Sequence, residues 1–294
     1  MSEQRPAPTI HFDEVYETYE GEVDPEAVIS FARATNDAMP AYLEGRAVPP
    51  LYSAVLVLPS LNENMVRAVD NGAISGQTNG LRGIHAEHDV YFHAPLKPGQ
   101  KLRWDARVRT VTVNKAGAMV TQSMQVRDLD DTLLVEHLWS SMALKSTTDA
   151  VGGPPLPDHR YPESARDHII GTETFFLPKE QGRIYYEAAG DPAGHSLDEE
   201  IAKAEGYPGV ILQGMCSLAT AVGAVMRIAG DGNPDHLRRL AVRFSAPVVL
   251  GQELLVEVAD VGTTENGTHV VVFEARQGDT VCLGHGRAEF RSHD

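Results

Sequence analysis

The chain has 294 residues, 42% of them hydrophobic, and a formal net charge of −16. That length suits one large domain or two ordinary ones with a sizeable core, and the acidity excludes nucleic acid and anionic membrane as default partners. The two cysteines, Cys216 and Cys282, supply neither a disulfide framework nor a zinc spacing, and in their apolar stretches they read as small buried hydrophobes.

The chain opens with Met-Ser-Glu-Gln-Arg-Pro-Ala-Pro, a polar run without a signal-peptide core. A cytoplasmic protein is the simplest account. Further on, Pro49, Pro50 and Pro59 punctuate an apolar stretch, with Pro59 inside Ala54–Leu61. An interior proline costs a helix ~3 kcal/mol or more, so a broken helix is expected there, leaving room beside it for a bulky ligand. Alternating stretches at 101–113, 117–128 and 132–144 read as strands. Residues 146–167, rich in Pro, Gly and polar residues, read as a linker. Beyond it, 209–229 is an apolar run that contains Gln213, Ser217, Thr220 and Arg227, and reads as a buried helix rather than a membrane span. Strand-like stretches follow at 252–261, 267–276 and 280–291, with turn-forming residues at 263–266 and 277–279.

The halves repeat. Phe92, Ala94, Pro95, Gly99, Gln100 and Leu102 match Phe244, Ala246, Pro247, Gly251, Gln252 and Leu254 at one offset of 152 residues. Ala-Thr-Asn-Asp at 34–37 resembles Ala-Ala-Gly-Asp at 188–191. The reading is therefore an α+β chain of two repeats, 1–145 and 168–294, joined by the linker 146–167. Each repeat is an antiparallel sheet wrapped around a central helix, and the first is degenerate in its helix. A duplicated chain can complete its sheet within one polypeptide, which leaves monomer and homodimer both open.

The candidate chemistry lies in the second repeat. Asp191 follows Gly190 in a turn, and His195 stands just before Ser196-Leu197-Asp198-Glu199, which reads as a capping box with Ser196 as N-cap of a helix through about Glu205. A carboxylate beside an imidazole that titrates near neutrality suits proton transfer. Tyr207-Pro208-Gly209-Val210-Ile211-Leu212-Gln213-Gly214 then opens the apolar helix. Free N–H groups there can polarise a carbonyl oxygen, and Gly214, without a side chain, lets a thioester approach its own N–H. A lone turn and a solvated histidine are the plainer readings of Asp191 and His195 taken singly. In the first repeat, Asn36 and Asp37 stand at the corresponding place, with no histidine after them. His85, His88 and His93 match no zinc motif; on a regular strand 85 and 93 share a face and 88 points the other way, so no metal site is expected. His85, Gln213 and Tyr207 are candidate pocket residues. Arg227, Arg238, Arg239 and Arg243 can pair phosphates, although ordinary surface arginines are the simpler reading.

The segment Tyr186-Glu187-Ala188-Ala189-Gly190-Asp191, with His195, Asp198, Ala202, Gly206-Tyr207 and Ile211-Leu212-Gln213-Gly214-Met215, resembles the hydratase-2 motif of MaoC-like (R)-specific enoyl-CoA hydratases. Ile84-His85-Ala86-Glu87-His88 and Phe92-His93-Ala94-Pro95-Leu96-Lys97-Pro98-Gly99 look like the N-terminal half of the double-hotdog members. The resemblance implies a double hotdog fold and hydration of a trans-2-enoyl thioester to a (3R)-hydroxyacyl thioester, or the reverse. It implies Asp and His as the water-holding pair, an acyl-CoA or acyl-carrier-protein substrate, and no metal or redox cofactor. The chain departs from the pattern at three points. His195 is four residues after Asp191 where the family has five, so strict alignment puts Ser196 in the histidine position. Ala193-Gly194 replace Asn-Pro, and Gln213 replaces a histidine before Gly214. Three readings follow: a hydro-lyase with Asp191 and His195 as acid–base pair and Gly214 as thioester donor; a hotdog protein altered in catalysis that binds acyl thioesters or a partner subunit; or a dehydratase for a branched, dicarboxylic or polyketide-type substrate.

Overall fold

A computed structural model describes residues 8–76 and 83–291. Most of the polar leader, residues 1–7, lies outside them. The elements in chain order are β1 (Thr18–Glu22), α1 (Pro25–Ala34), α2 (Pro40–Leu43), α3 (Ser53–Ala68), β2 (Ile84–Phe92), β3 (Lys101–Val113), β4 (Gly117–Asp128) and β5 (Leu133–Leu144) in the first half. The second half has β6 (Ile169–Leu177), α4 (Gln181–Ala189), α5 (Glu199–Ala204), α6 (Gly214–Ala229), β7 (Leu237–Phe244), β8 (Gln252–Thr263), β9 (Thr268–Gln277) and β10 (Thr280–Arg291). The strands form one sheet in the order β1-β3-β4-β5-β2-β7-β10-β9-β8-β6. The second half repeats the first in mirror order about the β2–β7 seam, which makes the fold a double hotdog.

The repeat holds at the level of single hydrogen bonds. Just after β2, the N–H groups of His93 and Ala94 both donate to the Leu134 carbonyl; just after β7, those of Ser245 and Ala246 both donate to the Cys282 carbonyl. Gly99 N–H donates to Val23 O at 2.7 Å and Gly251 N–H to Leu177 O at 2.7 Å. The matched Ala-Pro and Gly residues thus serve the same bends in both halves.

The helix α6 is buried without interruption from Met215 to Met226, as a helix apolar on all sides must be. It packs on β6, β8, β9 and β10, and α3 packs on β3 and β4. Helix α6 begins at Gly214 with Gln213 as N-cap, five residues later than the apolar run. Val210, Ile211 and Leu212 belong to the approach, where Ile211 bridges to Val249.

The expected break at Pro59 is not there: α3 runs unbroken through it. Pro59 lies on the exposed stripe of the helix, so the carbonyl of Val55 that loses its donor faces the wet side. The opposite face buries Val57, Leu61 and Met65. Those side chains contribute about 5–9 kcal/mol at ~1.5–3 kcal/mol each, which exceeds the proline cost. The room for a bulky ligand beside a missing helix therefore has no basis.

The seam carries buried charge. Arg239 on β7 donates from Nε and Nη2 to the two carboxylate oxygens of Asp89 on β2, at 3.0 and 2.8 Å, and both residues are buried. Arg243 pairs with Glu87 at 2.6 Å across the same strands, and Arg227 with Glu173 and Asp37. The surface reading is corrected for Arg239, which β2–β7 pairing buries against Asp89, whereas Arg243 is exposed as expected. Both cysteines are free and buried.

Candidate active site

Helix α4 ends at Gly190, which takes a left-handed conformation (φ 69°) that glycine adopts without steric cost. The chain turns there and delivers Asp191. Burial pushes the Asp191 carboxyl above its ordinary pKa, while the Ala193 backbone N–H and His195 pull it back. The loop is fixed from beneath by Gln213, whose Nε2 donates to Gly182 O at 3.0 Å and to Asp191 O at 3.4 Å. The N-cap of α6 therefore also holds the backbone of the acidic residue. Gln213 Oε1 is buried without a partner.

His195 sits in a short 3-10 turn, Gly194–Ser196, rather than just ahead of an N-cap. Its Nδ1 lies 2.9 Å from Glu205 Oε2, and its ring meets Tyr207 edge-on at 5.4 Å between centroids. A carboxylate only accepts, so the ring nitrogen that faces it, Nδ1, carries a proton. His195 is 30% exposed. Helix α5 is capped by Asp198, whose Oδ1 accepts from the N–H groups of Glu200 and Ile201. Ser196 therefore has no capping role, because Asp198 stands one residue from the helix and reaches its first donors directly. Ser196 is buried, and its Oγ has no hydrogen-bond partner.

Gly214 is the first residue of α6, where N–H groups have no partner within the helix. A β-carbon there would stand 3.2 Å from the Phe244 ring and 3.7 Å from His85 Nδ1. The first repeat thus reaches this point through His85, whose ring stacks on Trp139 (3.9 Å between centroids, 7° between planes) and leans on Phe244 at 4.3 Å. His85 and His88 share one side of β2, against the expectation for a regular strand. A β-bulge is the cause: His85 pairs with Ser141 and Glu87 with Ser140, leaving Ala86 as an extra residue. His85 Nε2 then lies 3.2 Å from His88 Nδ1. His93 lies beyond the end of the strand. Among the described residues, no cluster of His, Cys, Asp and Glu is arranged to hold a metal ion.

The counterpart in the first repeat is differently occupied. Asp37 accepts from Met39 N–H at 2.9 Å and faces Arg227 at 3.5 Å. A guanidinium thus stands where a site would need room. An apolar depression lined by Val48, Phe92, Pro95 and Leu237 lies at the other end of β2 from His85. Glu205 and His137, which contact the two candidate imidazoles or their neighbours, carry no sequence signal for those roles. Both meet their partners only through the fold.

Residues 167–281 match the family described as MaoC like domain, and residues 11–136 match FAS1-like, dehydratase domain region. The chain is 28% identical over 235 residues to peroxisomal multifunctional enzyme type 2 of Drosophila melanogaster, covering 77% of this chain and 38% of that protein. It is 25% identical over 245 residues to 3-hydroxyacyl-thioester dehydratase Y of Mycobacterium tuberculosis, covering 80% and 81%. The solved MaoC-like dehydratase from Phytophthora capsici superposes with a TM-score of 0.79 at 21% identity, over 95% of this chain and 96% of that one. The chain spans about two fifths of the fly protein's length. No helix among the described residues is long and apolar enough to cross a membrane. Two dehydratase-type regions in tandem, folded on one continuous sheet, place the chain in the MaoC-like dehydratase family, as a double hotdog.

Proposed function

We propose that the protein is a hydro-lyase that adds water to a trans-2-enoyl thioester, or removes it from a (3R)-hydroxyacyl thioester, carried on coenzyme A or an acyl carrier protein. One observation carries this reading. Asp191 is half-buried with a raised carboxyl pKa, and its backbone carbonyl accepts from Gln213, the N-cap of α6. This supports a reading in which a proton carrier works beside donors suited to a developing enolate oxygen. In this reading the Gly214 N–H binds the thioester oxygen. Asp191 takes a proton from water and returns it to the α-carbon. His195, aligned by Glu205, presents Nε2 to the same water. Relatives named 3-hydroxyacyl-thioester dehydratase Y in Mycobacterium tuberculosis and enoyl-CoA hydratase 2 in Arabidopsis thaliana support the substrate class.

Purified protein is expected to bleach the enoyl absorbance of crotonyl-CoA, or of a bulkier or more polar enoyl thioester if its acyl pocket demands one. Failure on all of them refutes the reading. A second reading, a binding protein altered in catalysis, is favoured by Ser196, an unpartnered hydroxyl at the place where the resemblance puts histidine. Acyl-CoA binding without turnover is its signature.

A further inference from the structure

Three histidines outside the Asp191 loop form one hydrogen-bonded line. His85 Nε2 lies 3.2 Å from His88 Nδ1, His88 Nε2 lies 3.0 Å from His137 Nδ1, and His137 Nε2 lies 3.0 Å from Ser53 Oγ. His88, His137 and Ser53 are fully buried. The Ser53 hydroxyl also meets the Pro50 carbonyl at 3.3 Å.

That last contact gives the line a direction. With the Ser53 hydroxyl donated to the Pro50 carbonyl, the Ser53 oxygen accepts from His137 Nε2–H. A neutral imidazole has one N–H, so His137 Nδ1 is an acceptor and His88 Nε2 donates to it. By the same step, His88 Nδ1 accepts and His85 Nε2 donates. The line ends in a lone pair on His85 Nδ1. Burial keeps the rings neutral: it lowers the His85 and His137 pKa values to about 3 and that of His88 well below its ordinary value. The lone pair is turned to the other repeat, since a β-carbon on Gly214 would lie 3.7 Å from His85 Nδ1. Trp139 and Phe244 hold the ring in place. The second repeat, with Ser196 in the aligned histidine position, lacks an imidazole at that place in its own loop.

We propose that His85 is a catalytic residue of this site, its Nδ1 accepting a hydrogen bond from the water that adds and from the 3-hydroxyl that results, with His88, His137 and Ser53 as positioning residues that lock its tautomer. The proposal rests on the hydro-lyase reading. The water oxygen bonds to the β-carbon while the π pair moves to the thioester oxygen. One water proton passes to the Asp191 carboxylate and from there to the α-carbon as the enolate collapses. The other stays in the new hydroxyl, where His85 Nδ1 takes the accepting place given above to His195 Nε2. His85 itself neither gains nor loses a proton, which suits a ring kept neutral by burial.

The test is nitrogen NMR on histidine-labelled full-length protein together with turnover. The expected result is an Nε2–H tautomer at His85 across the neutral range, with the Nδ1 signal moving when 3-hydroxybutyryl-CoA is added. Ser53→Ala removes the acceptor at the far end of the line. It should mix the His85 tautomers and lower kcat about tenfold with KM little changed, an effect of the size seen when an orienting partner is lost. His85→Phe keeps the ring stack without the lone pair and should lower kcat about a hundredfold with the melting temperature held. An Nδ1–H tautomer, an Nδ1 signal unmoved by the ligand, or full turnover in His85→Phe overturns the proposal. If the parent protein turns over no enoyl thioester, the hydro-lyase reading fails separately, and the Nδ1 response to the hydroxyacyl thioester still decides whether His85 contacts it.

Discussion

Replacing Asp191 with Asn separates catalysis from stability at one atom. Asn keeps the shape and can still accept from the Ala193 N–H, but it cannot carry a proton. If Asp191 is the proton carrier, kcat should fall by about 10²–10⁴, the range for a lost general acid–base group. That corresponds to about 3–5.5 kcal/mol of transition-state stabilisation. The stability effect runs the other way. Burial raises the Asp191 pKa in the folded chain, so the folded state holds this proton more tightly than the unfolded state does. The contribution of Asp191 to stability is therefore full below its unfolded pKa of about 3.9 and is lost as pH rises through the folded value. The variant has no such loss. Its melting temperature should match the parent's below about pH 3.9 and exceed it at neutral pH. Crotonyl-CoA turnover and thermal melts at the two pH values read both effects. Turnover within a factor of a few of the parent's, or a lower neutral-pH melting temperature in the variant, refutes the reasoning.

Pro59→Ala restores the donor to the Val55 carbonyl on the exposed face of α3 and should stabilise the protein by about 2 kcal/mol, after the helix gain of ~3 kcal/mol is offset by ~1 kcal/mol of unfolded-chain entropy; urea melts check it. Arg239→Ala strands the buried Asp89 carboxylate at the seam and should destabilise by ~3–5 kcal/mol. Asp89→Leu combined with Arg239→Met should recover much of that loss in the same melts. Glu205→Gln leaves His195 a neutral partner that can also donate, so the imidazole tautomer is no longer fixed. A drop in kcat of about tenfold, with no change in melting temperature, is the expected kinetic result.

The strands were the most readable part of the chain. Regular alternation places β3, β4 and β10 at the bounds the sequence implies, because one face of each meets a helix and side chains alternate with period two. The repeat was readable because both halves need the same Ala-Pro and Gly bends. Pro59 misled because local propensity is weighed against burial that only the folded helix reveals. Ser196 misled because two capping residues stand close together, and Asp198 takes the role. Ala86 misled because one extra residue in β2 reverses the face of everything after it. The Glu205 contact of His195 and the His137 contact of His88 join residues 10 and 49 positions apart; neither spacing follows any helix or strand period.

The β2–β7 seam has a consequence for how such a chain can change over time. In a symmetric pair of identical subunits, every mutation is written twice, and a residue good for one copy of a pocket burdens the other. Fusion into one reading frame ends that constraint. Arg227 can fill the space beside Asp37 while, among the described residues, no arginine or lysine pairs with Asp191, so one half is free to specialise in holding its neighbour's reactants in place.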